Sequence, residues 1–132
     1  MNTLSIRTSR RKELVSITAQ VSALVREEGW NNGALLLFCP HTTAALTVNE
    51  SADPDVAADM CRFMGKLVPI QPDFRHAEGN SDAHIQSSLF GPSLMLIVED
   101  GSLCLGTWQG VYFCEWDGPR SRNIWAQFLP GA

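Results

Sequence analysis

The feature that most constrains this chain is how often its apolar runs have the length and pattern of strands, set against how rarely they have the period of a helix. Ala34-Leu35-Leu36-Leu37-Phe38-Cys39 is a continuous apolar run ended by Pro40, the signature of a strand buried on both faces. Leu94 to Val98 is a second. Leu4 and Ile6, then Leu14 or Val15 and Ile17, alternate with polar residues as strands do. Ala44 to Glu50, Val111 to Trp116 and Asn123 to Leu129 read as three more, with turn signals at Asp100-Gly101 and Gly118-Pro119.

Helical spacing occurs in three places. Val21, Leu24 and Val25 lie on one face of a short helix, with Thr18 as its cap and Gly29 as its end. Asp53-Pro54 opens a second, whose stripe is Val56, Met60, Phe63, Met64 and Leu67. A third covers Asp82 to Phe90 and stops at Gly91-Pro92. Strands and helices do not alternate as βαβ units, so the expected class is α+β with antiparallel sheets. At 132 residues the chain holds one core, so residues 1–132 are expected to form a single domain. A domain this small has little interior to cover two apolar sheet faces. Burial of one of them by another subunit is therefore expected, and four tryptophans (Trp30, Trp108, Trp116, Trp125) point the same way.

A net charge of -4 gives no polyanion footprint, so no nucleic-acid partner is expected. No run of about eighteen apolar residues is present, so no membrane partner is expected either. Basic Arg7, Arg10, Arg11 and Lys12 lack a following apolar run, which argues against a secretory signal. Cys39, Cys61, Cys104 and Cys114 form no Cys-x-x-Cys pair and read as reduced core residues. A cytoplasmic location follows from these expectations.

The chain has three histidines, all in polar, turn-like contexts. His41 follows a buried strand, and His76 and His84 flank His-Ala-Glu-Gly-Asn-Ser-Asp-Ala-His. Three imidazoles with an open position make a catalytic zinc site, with Glu78, Asn80 and Asp82 orienting the rings. The alternative is three hydrogen-bonded loop residues. Thr42 and Thr43, with Arg120 and Arg122, suit an anion; solvated strand-end arginines are the plainer reading. Glu115 lies in an apolar strand and is a candidate for acid–base chemistry, or else an edge residue facing outward. Trp108 offers a stacking face and Gln109 a donor and an acceptor to a neighbouring subunit or a heterocycle.

Three motifs resemble those of one family. Pro40-His41-Thr42-Thr43-Ala44-Ala45-Leu46-Thr47-Val48-Asn49-Glu50, followed by Asp53-Pro54-Asp55-Val56, is similar to the first signature of the YjbQ-like, or secondary thiamine-phosphate synthase, family. His76 to Ile85 is similar to the second. Leu105 to Tyr112, with Glu115 and Gly118-Pro119-Arg120, is similar to the third, though the basic run after Pro119 is reduced to Arg120 and Arg122. The resemblance spans about Leu4 to Leu129. It implies a compact α+β domain with two antiparallel sheets and two to three short helices, assembled as a homotrimer. It implies a metal cleft of His41, His76 and His84 holding zinc, and the joining of a pyrimidine diphosphate to a thiazole phosphate with loss of pyrophosphate. Magnesium would ride on the diphosphate. Glu78 or Glu115 would stabilise the pyrimidine cation, with Trp108 and Gln109 beside it. Thr42, Thr43, Asn80 and Arg120 would contact substrate. Two other functions compete: a metal-dependent hydrolase of a small phosphate or amide, and a non-catalytic small-ligand-binding trimer.

Overall fold

The structure, a computed structural model, describes residues 1–132. Its elements run β1 (Asn2–Arg7), β2 (Glu13–Ser16), α1 (Thr18–Glu28), β3 (Gly33–Phe38), β4 (Ala44–Glu50), α2 (Pro54–Leu67), α3 (Ser81–Phe90), β5 (Ser93–Glu99), β6 (Ser102–Cys104), β7 (Gln109–Glu115) and β8 (Ser121–Pro130). All strand pairs are antiparallel. A five-stranded sheet has the order β1-β8-β3-β5-β6, and a three-stranded sheet the order β2-β7-β4. The expected α+β class and its two antiparallel sheets are therefore present, with three helices.

Strand parity builds the layers. Leu35 and Leu37 of β3, Leu96 and Val98 of β5, and Ile124 and Ala126 of β8 point to one side of the large sheet. There they meet Leu46 of β4, Val111 and Phe113 of β7, and Val21, Leu24 and Val25 of α1. The next residue along each strand of the small sheet faces away from this core. Ala45 and Cys114, with Trp116 just past β7, pack on Met64 of α2 and Ala83 of α3. The order of layers is large sheet, shared core, small sheet, then α2 and α3.

Local chemistry sets most boundaries. Asp53 accepts a hydrogen bond from the Asp55 N–H at 2.9 Å and starts α2 ahead of Pro54. Gly29 ends α1 in the left-handed region at φ 66°, where a side chain would be strained. Asp100 and Gly101, at φ 50° and 79°, form the two-residue turn between β5 and β6. Thr18 departs from expectation. It is the first helical residue rather than the cap, and its Oγ1 accepts the Val111 N–H at 2.9 Å. The β2 ladder runs on to Ile17, whose N–H reaches the Val111 carbonyl, so the neighbouring strand claims the hydroxyl.

Two burial expectations are also corrected. Of the α2 stripe only Met64 is buried; Phe63 and Leu67 are 61% and 56% exposed, because the three-stranded sheet beneath is too narrow to cover the whole stripe. All four cysteines are free, but only Cys39 and Cys114 are buried, and Cys104 lies exposed on the outer face of β6.

The outward face of the large sheet has no cover. Register lines up Ile97, Ala34 and Leu129, then Met95, Leu36 and Gln127, then Phe38 and Trp125. Phe38, Met95, Ile97, Trp125 and Leu129 are all exposed. Arg7 at the end of β1 and Glu99 at the end of β5 occupy diagonal corners of this sheet. No helix is long and apolar enough to cross a membrane.

Candidate functional site

Part of each signature gathers at one end of the sandwich, where the Asp117–Arg120 turn, the start of α3 and the segment after β1 meet. Glu115 and Arg122 are at its centre. They project from different sheets into the same core end, 0% and 4% exposed. Arg122 Nε donates to Glu115 Oε1 at 2.9 Å, and its Nη2 makes a close contact with Oε2. The same Nη2 donates to Thr43 Oγ1 at 2.9 Å, and Thr8 Oγ1 donates to Glu115 at 2.7 Å. Burial alone would raise the Glu115 carboxyl. Hydrogen bonds from Arg122 and Thr8 outweigh it and hold the group below its ordinary value. Gly118 admits the close approach: a Cβ there would lie 2.4 Å from the Arg10 carbonyl oxygen and 2.8 Å from Glu115 Cγ.

A second knot of charge fixes α3. Asp82, in its first turn and 2% exposed, takes a two-pronged contact from Arg11 at 3.1 and 3.2 Å and an ion pair from Lys12 at 3.0 Å. Lys12 also donates to Gln86 and to the Trp116 carbonyl. Burial is the largest influence on both ions. It lowers the Lys12 ammonium overall, whereas Arg11 and Lys12 keep the Asp82 carboxyl below its ordinary value. Asn80 Nδ2 and Arg120 Nη2 donate to the same oxygen of Asp117, at 2.8 and 3.0 Å. Asn80 and Asp82 thus hold the backbone frame rather than the histidine rings.

The Gly79 N–H closes a turn on the His76 carbonyl at 3.1 Å, with Gly79 at φ 74°. The turn sets His76 edge-on to His84, ring centres 5.2 Å apart. Neither ring has a hydrogen-bond partner in the chain. His41 is used differently. Its Nε2 accepts the Asn123 N–H at 2.9 Å, a group on β8 left free where the pairing with β3 ends at Phe38. Burial, then the Arg122 charge, lowers its pKa.

The expected three-histidine metal cleft is corrected by this geometry. No three His, Cys, Asp or Glu residues come together as a ligand set. Two imidazoles pair, and the third turns its Nε2 to β8.

The remaining expected residues are dispersed. Thr43 is buried on Arg122, whereas Thr42 and Glu78 are exposed. Trp108 is 63% exposed on the turn before β7, and Gln109 Oε1 closes that turn on the Gly106 N–H at 2.8 Å. The sequence reading missed Arg11 and Lys12 as partners of Asp82. The only signal was an acidic residue at a helix start, and its partners lie 71 and 70 positions away in the chain.

A family profile described as "UPF0047 protein YjbQ-like" matches residues 2–131. The chain belongs to the YjbQ-like family. It is similar to the UPF0047 protein YugU of Bacillus subtilis, 49% identical over 130 residues and 98% of both chains. The UPF0047 protein MJ1081 of Methanocaldococcus jannaschii is 46% identical over 94% of this chain and 90% of its own. The crystal structure of a YjbQ/UPF0047 family protein from Clostridium acetobutylicum superposes with a TM-score of 0.94 at 46% identity, covering 98% and 100% of the two chains. Protein TT1486 of Thermus thermophilus gives 0.91 at 43% identity, with 98% and 100% covered.

Membership in the YjbQ-like family bears out the resemblance, but the function attached to it is corrected. These relatives' names state a family and no thiamine chemistry, and the metal cleft on which the synthase and hydrolase readings rested is not formed. The reading of a trimer that holds its ligand on the three histidines falls with that convergence.

Proposed function

We propose that this YjbQ-like chain works as a self-assembling subunit, burying the outward face of its large sheet against further copies of itself. The observation that carries this is the row-by-row apolar face of Phe38, Met95, Ile97, Trp125 and Leu129, set on three adjacent strands with no helix above it. A contiguous apolar surface of this kind marks an interface rather than a solvated face.

Two features favour a second copy as the occupant. The centre of the face carries no charged side chain, so chains of net charge -4 meet there without like-charge contact. Its two charges, Arg7 and Glu99, have opposite sign and sit at diagonal corners, and neither has an ion pair within the chain. A head-to-tail contact brings Arg7 of one copy toward Glu99 of the next. Head-to-tail contacts that close give rings, and the homotrimer implied by the family resemblance is the ring we propose.

The test is the dependence of stability on concentration. Assembly that stabilises the folded chain makes its melting temperature rise with protein concentration. Ile97→Lys together with Met95→Lys places two charges in the face without touching the core. The native chain is expected to melt several degrees higher at ~100-fold greater concentration, and the double variant to show no such rise. A concentration-independent melt of the native chain rejects the proposal.

A further inference from the structure

On the opposite side of the molecule from the apolar sheet face, α2 stands off the small sheet and leaves a groove of about 570 Å³. That is within the range of small-molecule sites. The gap exists because α2 presents short side chains there: Pro54, Ala57, Ala58 and Cys61 recur at helical spacing, with Leu14 of β2 opposite. These form an apolar floor.

Its two ends differ in chemistry. Arg10 and Lys12 lie toward Cys61 at one end, which Arg62 also lines. Glu13, then Lys12 and Arg10, act electrostatically on Cys61 at that end. Ser16, Ser51 and Tyr112 line the other end. Most charges in the groove are already spoken for. Lys12 is held by Asp82, Arg62 by Asp59, and Glu13 by Ser9. Arg10 has no ion pair and no side-chain hydrogen bond within the chain. The Tyr112 hydroxyl donates to the Glu50 carbonyl at 2.8 Å, which leaves its oxygen free to accept.

We infer that the groove between β2 and α2 binds a small amphiphilic carboxylate, its anionic end on Arg10, its apolar body on Leu14, Ala57 and Ala58, and a hydroxyl-bearing far end beside Ser16, Ser51 and Tyr112. One unpaired guanidinium matches one carboxylate in a two-pronged contact. A bare anion would leave the apolar floor uncovered, and a purely apolar body would leave Arg10 unused. The site is independent of the assembly proposed above.

The experiment is an amide-resolved NMR titration of the full chain with 4-hydroxyphenylacetate, with acetate and with 4-hydroxyphenethyl alcohol. The expected result is saturable shifts confined to β2, Ser51 to Arg62 and Tyr112 with the first probe, and about tenfold or weaker binding of the other two. Arg10→Gln, on an exposed side chain, should weaken the first probe about tenfold and leave the alcohol unchanged. Ala58→Phe should abolish binding, with the spectrum of the rest of the chain retained. Absence of saturable shifts in the groove, equal binding of acetate, or indifference to Arg10→Gln overturns the assignment. If Ala58→Phe fails to fold, the Arg10→Gln titration alone decides.

Discussion

Glu115 illustrates what a single residue discloses and what it conceals. Its place in an apolar strand correctly signalled an unusual carboxylate. Its partner was not legible. Arg122, seven positions on, read as a separate anion contact, because the pairing depends on β8 joining the opposite sheet from β7. Enclosed and ionised by Arg122, Glu115 braces the two sheets. Glu115→Gln should leave the Arg122 guanidinium buried without its counter-charge and cost about 3–5 kcal/mol in urea unfolding. The pH dependence follows in sign. The Glu115 pKa is lower in the folded chain than in the unfolded chain, so its stabilisation is complete above the ordinary Glu value and is lost as pH falls through the folded one. His41 acts at higher pH. Its folded pKa is also lowered, so the neutral ring on Asn123 is favoured above the ordinary His value, near 6.5, and stability falls as pH drops below it. Urea midpoints measured between pH 7.5 and 5 should decline, and His41→Gln should flatten that decline.

At the scale of elements, strand parity and helix ends were the legible part. β4 and α2 begin and end close to where their sequence says, because Asp53, Pro54 and the apolar spacing are all local signals. Asp53→Ala should therefore cost about 1 kcal/mol in thermal or urea unfolding. The short β6 strand was signalled only by the Asp100-Gly101 hairpin turn ahead of it, since three residues hold little period of their own. The candidate site divides the same way. The proximity of His76 and His84 has a local cause, the Gly79 turn into α3. The position of His41 depends on how β3 and β8 end beside each other, which no local pattern encodes. The charge knot under α3 is tertiary too. Asp82→Ala should strand the half-buried Lys12 and loosen α3 from the segment after β1. Faster amide hydrogen exchange in Ser81–Phe90 than in β3 or β8 is the expected readout.

At the scale of the molecule, the account turns on an imbalance of layers. The small sheet is covered on both faces, by the shared core and by α2 and α3, whereas the large sheet is covered on one. The sequence disclosed this in outline, since β3 and β5 are apolar at every interior position and one chain of this size cannot enclose both sides. It could not say which face would be left bare. That choice follows from α1 occupying the inner side, where Val21, Leu24 and Val25 join the core. Sedimentation equilibrium of the native chain at micromolar concentration weighs the consequence directly. The predicted result is a mass three times the 14.5 kDa of one chain. A single species of 14.5 kDa that persists as concentration rises would contradict it.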